Sequence, residues 1–217
     1  MEYTSTFNKL KSIFTPDKDE IIIPDSNVKI YNIRFRSDFP ADRFINVSDT
    51  LISENRLFSY PVFTPGNTKS NKVILLLHGL NERSWVKYLV WAFWLAEFTG
   101  SYVILFPISF HINRSPASWK DPRSMIPFVK KRNSGPEAVN DSSFANIALS
   151  NRLTESPLRF LNSGYQTITD ITKLIQTIKN GQHRIIPGGG KINIFAYSIG
   201  AFLAEIILIT DGTSLTQ

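Results

Sequence analysis

Residues 191–205 read KINIFAYSIGAFLAE, and this stretch decides the fold predicted for the chain. It follows the glycine-rich breaker at residues 187–190 and begins with a short apolar run. After Gly200 the sequence changes to an apolar segment of helix-forming residues. The pattern predicts a buried strand that passes directly into a helix, with Ser198 at the bend.

A serine at such a bend has the geometry of a nucleophile. Its hydroxyl projects from the carboxyl end of the sheet, and the N–H of the next residue points the same way. Strand and helix cross closely there, so the residues two before and two after the serine must be small, as Ala196 and Gly200 are. The pattern Ala-x-Ser-x-Gly is a one-methyl variant of the Gly-x-Ser-x-Gly nucleophile elbow. An ordinary strand-to-helix turn is the alternative interpretation, because so short a pattern also arises by chance.

The composition is typical of a globular chain. At 217 residues, with 42% hydrophobic residues, the chain suits a single domain over residues 1–217. Cysteine is absent, so we expect no disulfide framework and no thiolate metal site, and we predict no cofactor and no metal. The net charge of +6 comes without a reader motif, so we expect no nucleic-acid partner.

The termini and the apolar runs bear on location. The amino terminus lacks the basic and apolar regions of a secretory signal. No apolar run approaches the ~20 residues that a membrane span requires. We therefore predict a cytoplasmic protein without a transmembrane segment.

Two early segments are predicted to form strands, and neither contains a candidate functional residue. Residues 28–36 alternate apolar and polar side chains at period two, as a half-buried strand does. Residues 57–63 contain Pro61, which cannot donate to a hydrogen-bond ladder. We therefore expect this second strand at an edge of the sheet.

A strand, a helix and a strand follow. Residues 73–77 are continuous aliphatics that end in His78-Gly79, which predicts a strand buried on both faces of a parallel sheet. Residues 84–99 repeat apolar side chains near the helical period, with Ser84 as the expected N-cap and Gly100 as the stop. Residues 102–106 form a second fully apolar strand, which completes a βαβ unit.

Residues 108–162 interrupt this rhythm and are predicted to be an inserted lid, because they are too long for an ordinary connection. The segment motivates the hypothesis of an anionic or phospholipid-like substrate, although a solvated charged face is the favoured interpretation. A helix over residues 160–179 then resumes the pattern. The basic cluster that motivates the hypothesis consists of Arg114, Lys120, Arg123, Lys130, Lys131 and Arg132.

A strand that ends in His78-Gly79 is followed later in the chain by a strand that ends in Ala-x-Ser-x-Gly. In this order of elements, residues 28–210 resemble the α/β-hydrolase superfamily. The resemblance implies an α/β fold: an α/β-hydrolase-like three-layer sandwich with a mostly parallel sheet, a lid insertion and strand order 1-2-4-3-5. It also implies that the sheet is incomplete at the C-terminal side, with the serine strand at an edge.

The resemblance assigns roles to four residues. Ser198 would be the nucleophile, and the main-chain N–H groups of Leu80 and Ile199 would form the oxyanion hole. This arrangement suits acyl transfer, because the two dipoles meet the oxygen that becomes negative. For His78 we expect that it supports the oxyanion loop by hydrogen bonding, with proton transfer as the alternative.

The base and the acid of a serine hydrolase should follow the nucleophile in the chain. Residues 199–217 contain Glu205 in the helix and Asp211 just beyond it, but no histidine. His111 is the best substitute base, although a lid residue that contacts substrate, like Arg114, is the favoured interpretation. His183 is expected in a solvated loop.

The sequence therefore predicts a serine hydrolase-like protein that acts on a small-molecule ester, or a lipid, through an acyl-enzyme. Because the acid and the histidine are missing after Ser198, we predict that the chain is inactive or nearly so. It would be a truncated product, or a hydrolase completed by a partner chain that extends the sheet. The alternative is a non-catalytic binding protein that acts through the lid or the open sheet edge.

Overall fold

The computed structural model describes residues 2–40, 47–66, 70–119, 121–134, 144, 146–147, 150, 154 and 156–216, without the side chains of residues 47, 48 and 211–216. Lys120 of the predicted basic cluster and most of the middle of the predicted lid lie outside these residues.

The described residues form helices and strands with the following bounds. The helices are α1 (Tyr3–Ile13), α2 (Val47–Thr50), α3 (Ser53–Arg56), α4 (Val86–Thr99), α5 (Pro122–Arg132), α6 (Arg159–Lys179) and α7 (Ile199–Thr216). The strands are β1 (Glu20–Ile22), β2 (Lys29–Arg36), β3 (Leu57–Phe63), β4 (Val73–Leu77), β5 (Tyr102–Phe106) and β6 (Ile192–Ala196). Two 3-10 turns, Ile112–Arg114 and Ala117–Trp119, lie between β5 and α5.

The sequence predicts a mostly parallel sheet, and this prediction is wrong. The six strands form one mixed sheet in the order β1-β2-β3-β5-β4-β6. The pairings of β1 with β2, β2 with β3 and β3 with β5 are antiparallel, and only β4 pairs in parallel, with β5 and with β6. A mostly parallel, α/β-hydrolase-like three-layer sandwich is therefore not what the chain forms. The relative order of β2 to β6 is the expected one, and β6, which precedes the serine, lies at an edge.

The burial of the strands explains the mixture. β4 is buried along its whole length, as predicted, because Val73, Leu75 and Leu77 face one apolar cluster while Ile74 and Leu76 face another. β2 instead alternates between buried and less buried residues, which is typical of antiparallel pairing. The prediction of a strand buried on both faces in parallel pairing therefore holds for β4, whereas β5 also pairs antiparallel with β3. The prediction of a buried strand is wrong for β6, of which only Ile192 is buried.

Helices cover both faces of the sheet. α6 and α7 pack on one face through Ile171, Leu174, Leu203 and their neighbours. α1 and α4 pack on the other face, where Leu10 lies in the same cluster as much of α4. The carboxyl ends of β4, β5 and β6 therefore open between α6, α7 and the loops that follow the strands.

Two local predictions need correction. β3 is an interior strand, because its pairing with β5 involves only Val62 and Phe63 and so avoids the missing N–H of Pro61. α4 begins at Val86 with Trp85 at the N-cap, and no side chain caps it, so Ser84 does not have the predicted role. Gly100 does end α4, in the left-handed conformation at a φ of 62°.

In the described part of the chain, none of the helices combines the length and the apolar character needed to cross a bilayer.

Candidate active site

Ser198 lies at the bend between β6 and α7, where the sequence predicts it. The N–H of Tyr197 donates to the carbonyl oxygen of Leu77 at 3.0 Å, which extends the pairing of β6 with β4 to the bend. Ser198 then has a φ of 56°, in the left-handed region that non-glycine residues seldom occupy, and α7 begins at the next residue. The side chain is exposed, and its hydroxyl makes no hydrogen bond with any described residue.

The bend brings α7 into close contact with the end of β4. A Cβ added to Gly200 would lie 2.7 Å from the carbonyl oxygen of His78 and 2.8 Å from that of Leu77. Both neighbours are main-chain atoms that a side chain cannot push aside. The helix can therefore approach the strand only because position 200 is glycine, which is the reason the elbow pattern requires a small residue there.

His78 joins the loop after β4 to the loop after β5. Its Nδ1–H donates to the carbonyl oxygen of Gly79 at 2.8 Å, and its Nε2 accepts from the N–H of Ile108 at 2.9 Å. The ring is fully buried, and burial lowers its pKa to about 3, with the neighbouring His111 contributing in the same direction. A neutral ring with both nitrogens engaged has no lone pair left to accept a proton, so the contacts of His78 are those of a loop support.

The same loop carries the first proposed oxyanion donor. The N–H of Gly79 donates to Tyr88 Oη at 2.9 Å, and that hydroxyl in turn donates to Glu82 at 2.8 Å. A Cβ at Gly79 would lie 3.5 Å from the Cβ of Ser198, so the loop passes directly beside the serine. Among the residues that the structure describes, no acceptor bonds the next N–H, that of Leu80, and none bonds the N–H of Ile199.

His111 lies in a strained turn after β5. Its neighbours Phe110 and Ile112 have φ values of 63° and 48°, and for a β-branched residue such as Ile112 this is a costly conformation. The Nδ1–H of His111 donates to the carbonyl oxygen of Ser109 at 2.9 Å. In the neutral ring Nε2 therefore carries the lone pair, which is the tautomer that a general base needs. The rings of His111 and His78 are 5.4 Å apart.

An apolar pocket of about 190 Å³ lies beside these groups. Leu80, Ile108, His111 and Ile199 line it together with further side chains of α6 and α7, among them Phe160, Ile168 and Phe202. In the described chain, five non-glycine residues have a positive φ. One is Asp25, and the other four lie at or beside the pocket residues Leu80, His111 and Ile199: they are Asn81, Phe110, Ile112 and Ser198. Backbone strain is therefore concentrated around this pocket, as it is at many functional sites.

Arg114 is placed differently from the exposed lid residue that the sequence suggests. Its side chain is fully buried, and its guanidinium donates to Asp170 at 2.8 Å and to the side-chain and main-chain oxygens of Asn55 at 3.1 and 3.0 Å. Burial lowers the pKa of Arg114 to about 10 and raises that of Asp170, while the ion pair opposes both shifts. Arg114 thus anchors the turn that carries His111, and it offers no surface to a substrate.

Besides Asn55 of α3, the turn has polar partners on α6, and these were not identified from the sequence. Ser163 donates to the carbonyl oxygen of Ser109 at 2.9 Å, Thr167 accepts from the N–H of Ser109 at 3.0 Å, and Gln166 accepts from the hydroxyl of Ser109 at 2.6 Å. With Asp170, these residues form a buried polar stripe at helical spacing. That spacing was a usable signal, because polar residues repeating beside an apolar stripe indicate a second buried face.

The remaining histidine and carboxylates lie elsewhere. His183 is buried, so the prediction of a solvated loop is wrong: its Nε2–H donates to Tyr60 at 2.9 Å, and its Nδ1 accepts from the N–H of Ile186 at 2.9 Å. Burial lowers the pKa of His183 to about 4. Glu205 lies within α7 as expected, and α7 continues to Thr216, so Asp211 lies in the helix and not beyond it.

The described residues of the basic cluster do not line the pocket. Arg123, Lys130, Lys131 and Arg132 lie exposed on α5, and the pocket wall contains none of them. The segment predicted as a lid contributes instead through Ile108, His111 and two side chains near the start of α6.

These features define an α/β protein with a mixed sheet, in which a strained serine at a strand-to-helix bend lies beside an apolar pocket. Residues 39–217 match a protein-family model described as a family of unknown function (DUF6051), and the chain belongs to that family. Neither the curated proteins nor the solved structures contain a match to the chain. The cytoplasmic location stays a prediction.

Proposed function

We propose that this chain carries an esterase-type site in which Ser198 attacks the carbonyl carbon of an acyl ester. The observation that carries the proposal is the left-handed backbone of Ser198 between β6 and α7, next to a pocket that is bordered by both Leu80 and Ile199. The resemblance to α/β-hydrolases supports the proposal only through the motifs His78-Gly79 and Ala-x-Ser-x-Gly. The sheet gives no such support, because its early strands are antiparallel where a mostly parallel sheet was predicted.

The chemistry proceeds in two steps. The Ser198 hydroxyl adds to the ester carbonyl and loses its proton to a base, and the alcohol leaves with a proton, which produces an acyl-serine. Water then attacks the acyl-serine and releases the carboxylic acid and the free hydroxyl. The N–H groups of Leu80 and Ile199 would bind the oxyanion in both steps, and removing one such donor costs roughly 3 kcal/mol in comparable sites.

His111 is our candidate for the base. It lines the same pocket as Leu80 and Ile199, and its Nδ1–H donates to Ser109, so in the neutral ring the lone pair is on Nε2. No hydrogen bond joins His111 and Ser198 among the described residues, so proton transfer would require a bridging water or a movement of the serine. We therefore expect slow turnover.

Labelling with a fluorophosphonate probe tests the proposal directly. We expect slow labelling of the folded wild-type chain, located at Ser198 by mass spectrometry of the digested protein, and none in Ser198→Ala. His111→Gln should lower the labelling rate by about 100-fold if the histidine is the base. Ser5→Ala, at an exposed serine on α1, is the matched control and should label like the wild type. Equal labelling of Ser198→Ala, or no labelling of the folded wild type, would contradict the proposal.

A second candidate function is a non-catalytic binding protein that presents β6 to a strand of a partner chain. The observation in its favour is that β6 lies at the edge of the sheet and exposes 43% of Phe195, with 47% of Tyr197 exposed just after it. Unpaired edge strands with apolar side chains favour pairing with another chain. Size-exclusion chromatography with light scattering should then show a stable complex that persists in Ser198→Ala, whereas a monomer would count against this candidate.

A further inference from the structure

One glycine in the pocket wall has no local structural reason to be glycine. Gly164 lies within α6, and a Cβ added there would meet no atom within 4 Å. Its φ is not in the left-handed region, since the glycines with positive φ are at other positions. Glycine is among the poorest helix formers, so its presence in a helix of this length is unfavourable for the helix itself. Gly164 lines the pocket, so its missing side chain leaves open space at the pocket wall.

The wall around that space is mainly apolar. The part of the wall supplied by α6 and α7 consists largely of apolar side chains, such as Leu161, Ile168, Phe202 and Ile206. Among the described residues, His111 is the one member of the wall with a basic side chain, and no carboxylate belongs to the wall. A ligand that fits this wall is therefore largely apolar, and Leu80, Ile199 and His111 are the lining residues beside which we expect its polar group.

We propose that the pocket holds the unbranched acyl chain of the substrate and that Gly164 sets the chain length that fits. This inference rests on the proposed function for the reacting end, where the ester carbonyl would meet the two N–H groups. For the apolar end it rests on the pocket alone. A side chain at position 164 would extend into the volume that the acyl chain occupies and would shorten the preferred substrate.

The kinetic arm of the test compares p-nitrophenyl esters from acetate to dodecanoate. We expect kcat/KM of the wild type to rise with chain length to a maximum at medium-length chains. Gly164→Leu should move the maximum to shorter chains and lower kcat/KM for the longest ones by at least about tenfold, while acetate is little affected. Gln176→Leu, which adds the same side chain at an exposed position of α6, is the matched control and should keep the wild-type profile.

The binding arm does not depend on catalysis. In Ser198→Ala, saturated fatty acids from acetate to dodecanoate should raise Tm progressively with chain length, and the added Gly164→Leu substitution should remove this effect for the long acids. Gly164→Ala serves as a milder variant if Gly164→Leu fails to fold, and it should shift both profiles in the same direction.

The outcomes separate the two proposals. Chain-dependent binding that responds to position 164, without ester hydrolysis, supports the acyl pocket and contradicts the esterase. Hydrolysis whose chain-length profile is the same in wild type, Gly164→Ala and Gly164→Leu overturns the role of Gly164 and leaves the esterase standing. Absence of both hydrolysis and fatty-acid binding overturns both.

Discussion

The main chain at Gly200 lies against the carbonyl oxygen of His78, so closely that a Cβ at position 200 would be 2.7 Å from that oxygen. This contact fixes the start of α7 against the loop that carries Leu80. The distance between the two main-chain N–H groups at the pocket therefore depends on the absence of a side chain at one residue.

Gly200→Ala should destabilise the fold and disrupt the site together. The added methyl group has only main-chain atoms to displace, so we expect a loss of roughly 1–3 kcal/mol in the free energy of unfolding, as for other overpacked positions. Urea unfolding measures the change. Gly164→Ala is the control for the same substitution in open space, and its stability should be unchanged or slightly raised. A Gly200→Ala protein as stable as the wild type would mean that α7 is not held against β4 in this way.

The stability should decrease as the pH falls from 6.5 towards 4. His78 and His183 are neutral in the folded state, with pKa values lowered from 6.5 to about 3 and about 4 because both are buried. Below about pH 6.5 the unfolded chain binds protons at these positions and the folded chain does not, so each histidine lowers the free energy of unfolding by up to ~1.4 kcal/mol per pH unit. Above pH 6.5 neither state gains these protons, and this contribution to the slope vanishes.

Thermal unfolding of the wild type and of His183→Gln between pH 7.5 and 4.5 measures this effect. The variant lacks one of the two titrating rings, so its Tm should depend less steeply on pH below 6.5, even if it is lower throughout. Equal slopes in the two proteins would contradict the assignment of His183 as a buried neutral ring.

The contributions of Arg114 and Asp170 to stability should be strongly coupled, because the two side chains form a buried ion pair. Asp170→Asn leaves the guanidinium buried without its carboxylate, and we expect a loss of about 3–5 kcal/mol. The double variant Arg114→Met with Asp170→Asn removes both charges and should be less destabilised than the sum of the two single variants, Arg114→Met and Asp170→Asn. Urea unfolding of the four proteins completes the cycle, and strictly additive losses would show that the two side chains do not interact.

Charge reversal on α5 should leave substrate preference unchanged. Lys130, Lys131 and Arg132 lie exposed at the end of α5 and outside the pocket wall. Replacing all three with glutamate should therefore keep the ranking of neutral and anionic esters, measured by kcat/KM, at the wild-type order. A loss of activity confined to the anionic esters would instead favour the phospholipid-like substrate suggested by the basic cluster.

The sequence by itself determined the elements around the bend. The change from an apolar strand to an apolar helix located Ser198, and the close crossing of strand and helix explained why Gly200 has no side chain. The continuous aliphatic run of β4 predicted burial on both faces, which the two apolar clusters confirm. These properties are local, because period, side-chain size and backbone conformation over a few residues decide them.

Only the tertiary structure decided which distant residues meet. The antiparallel pairing of β1, β2, β3 and β5 depends on partners far apart in the chain, so the pattern within each strand could not exclude a mostly parallel sheet. Arg114 and His183 are polar residues that the sequence suggests are exposed, and each is buried because a partner elsewhere in the chain, Asp170 or Tyr60, bonds it. The pocket, too, exists only where α6 packs beside α7, and the importance of Gly164 follows from that packing.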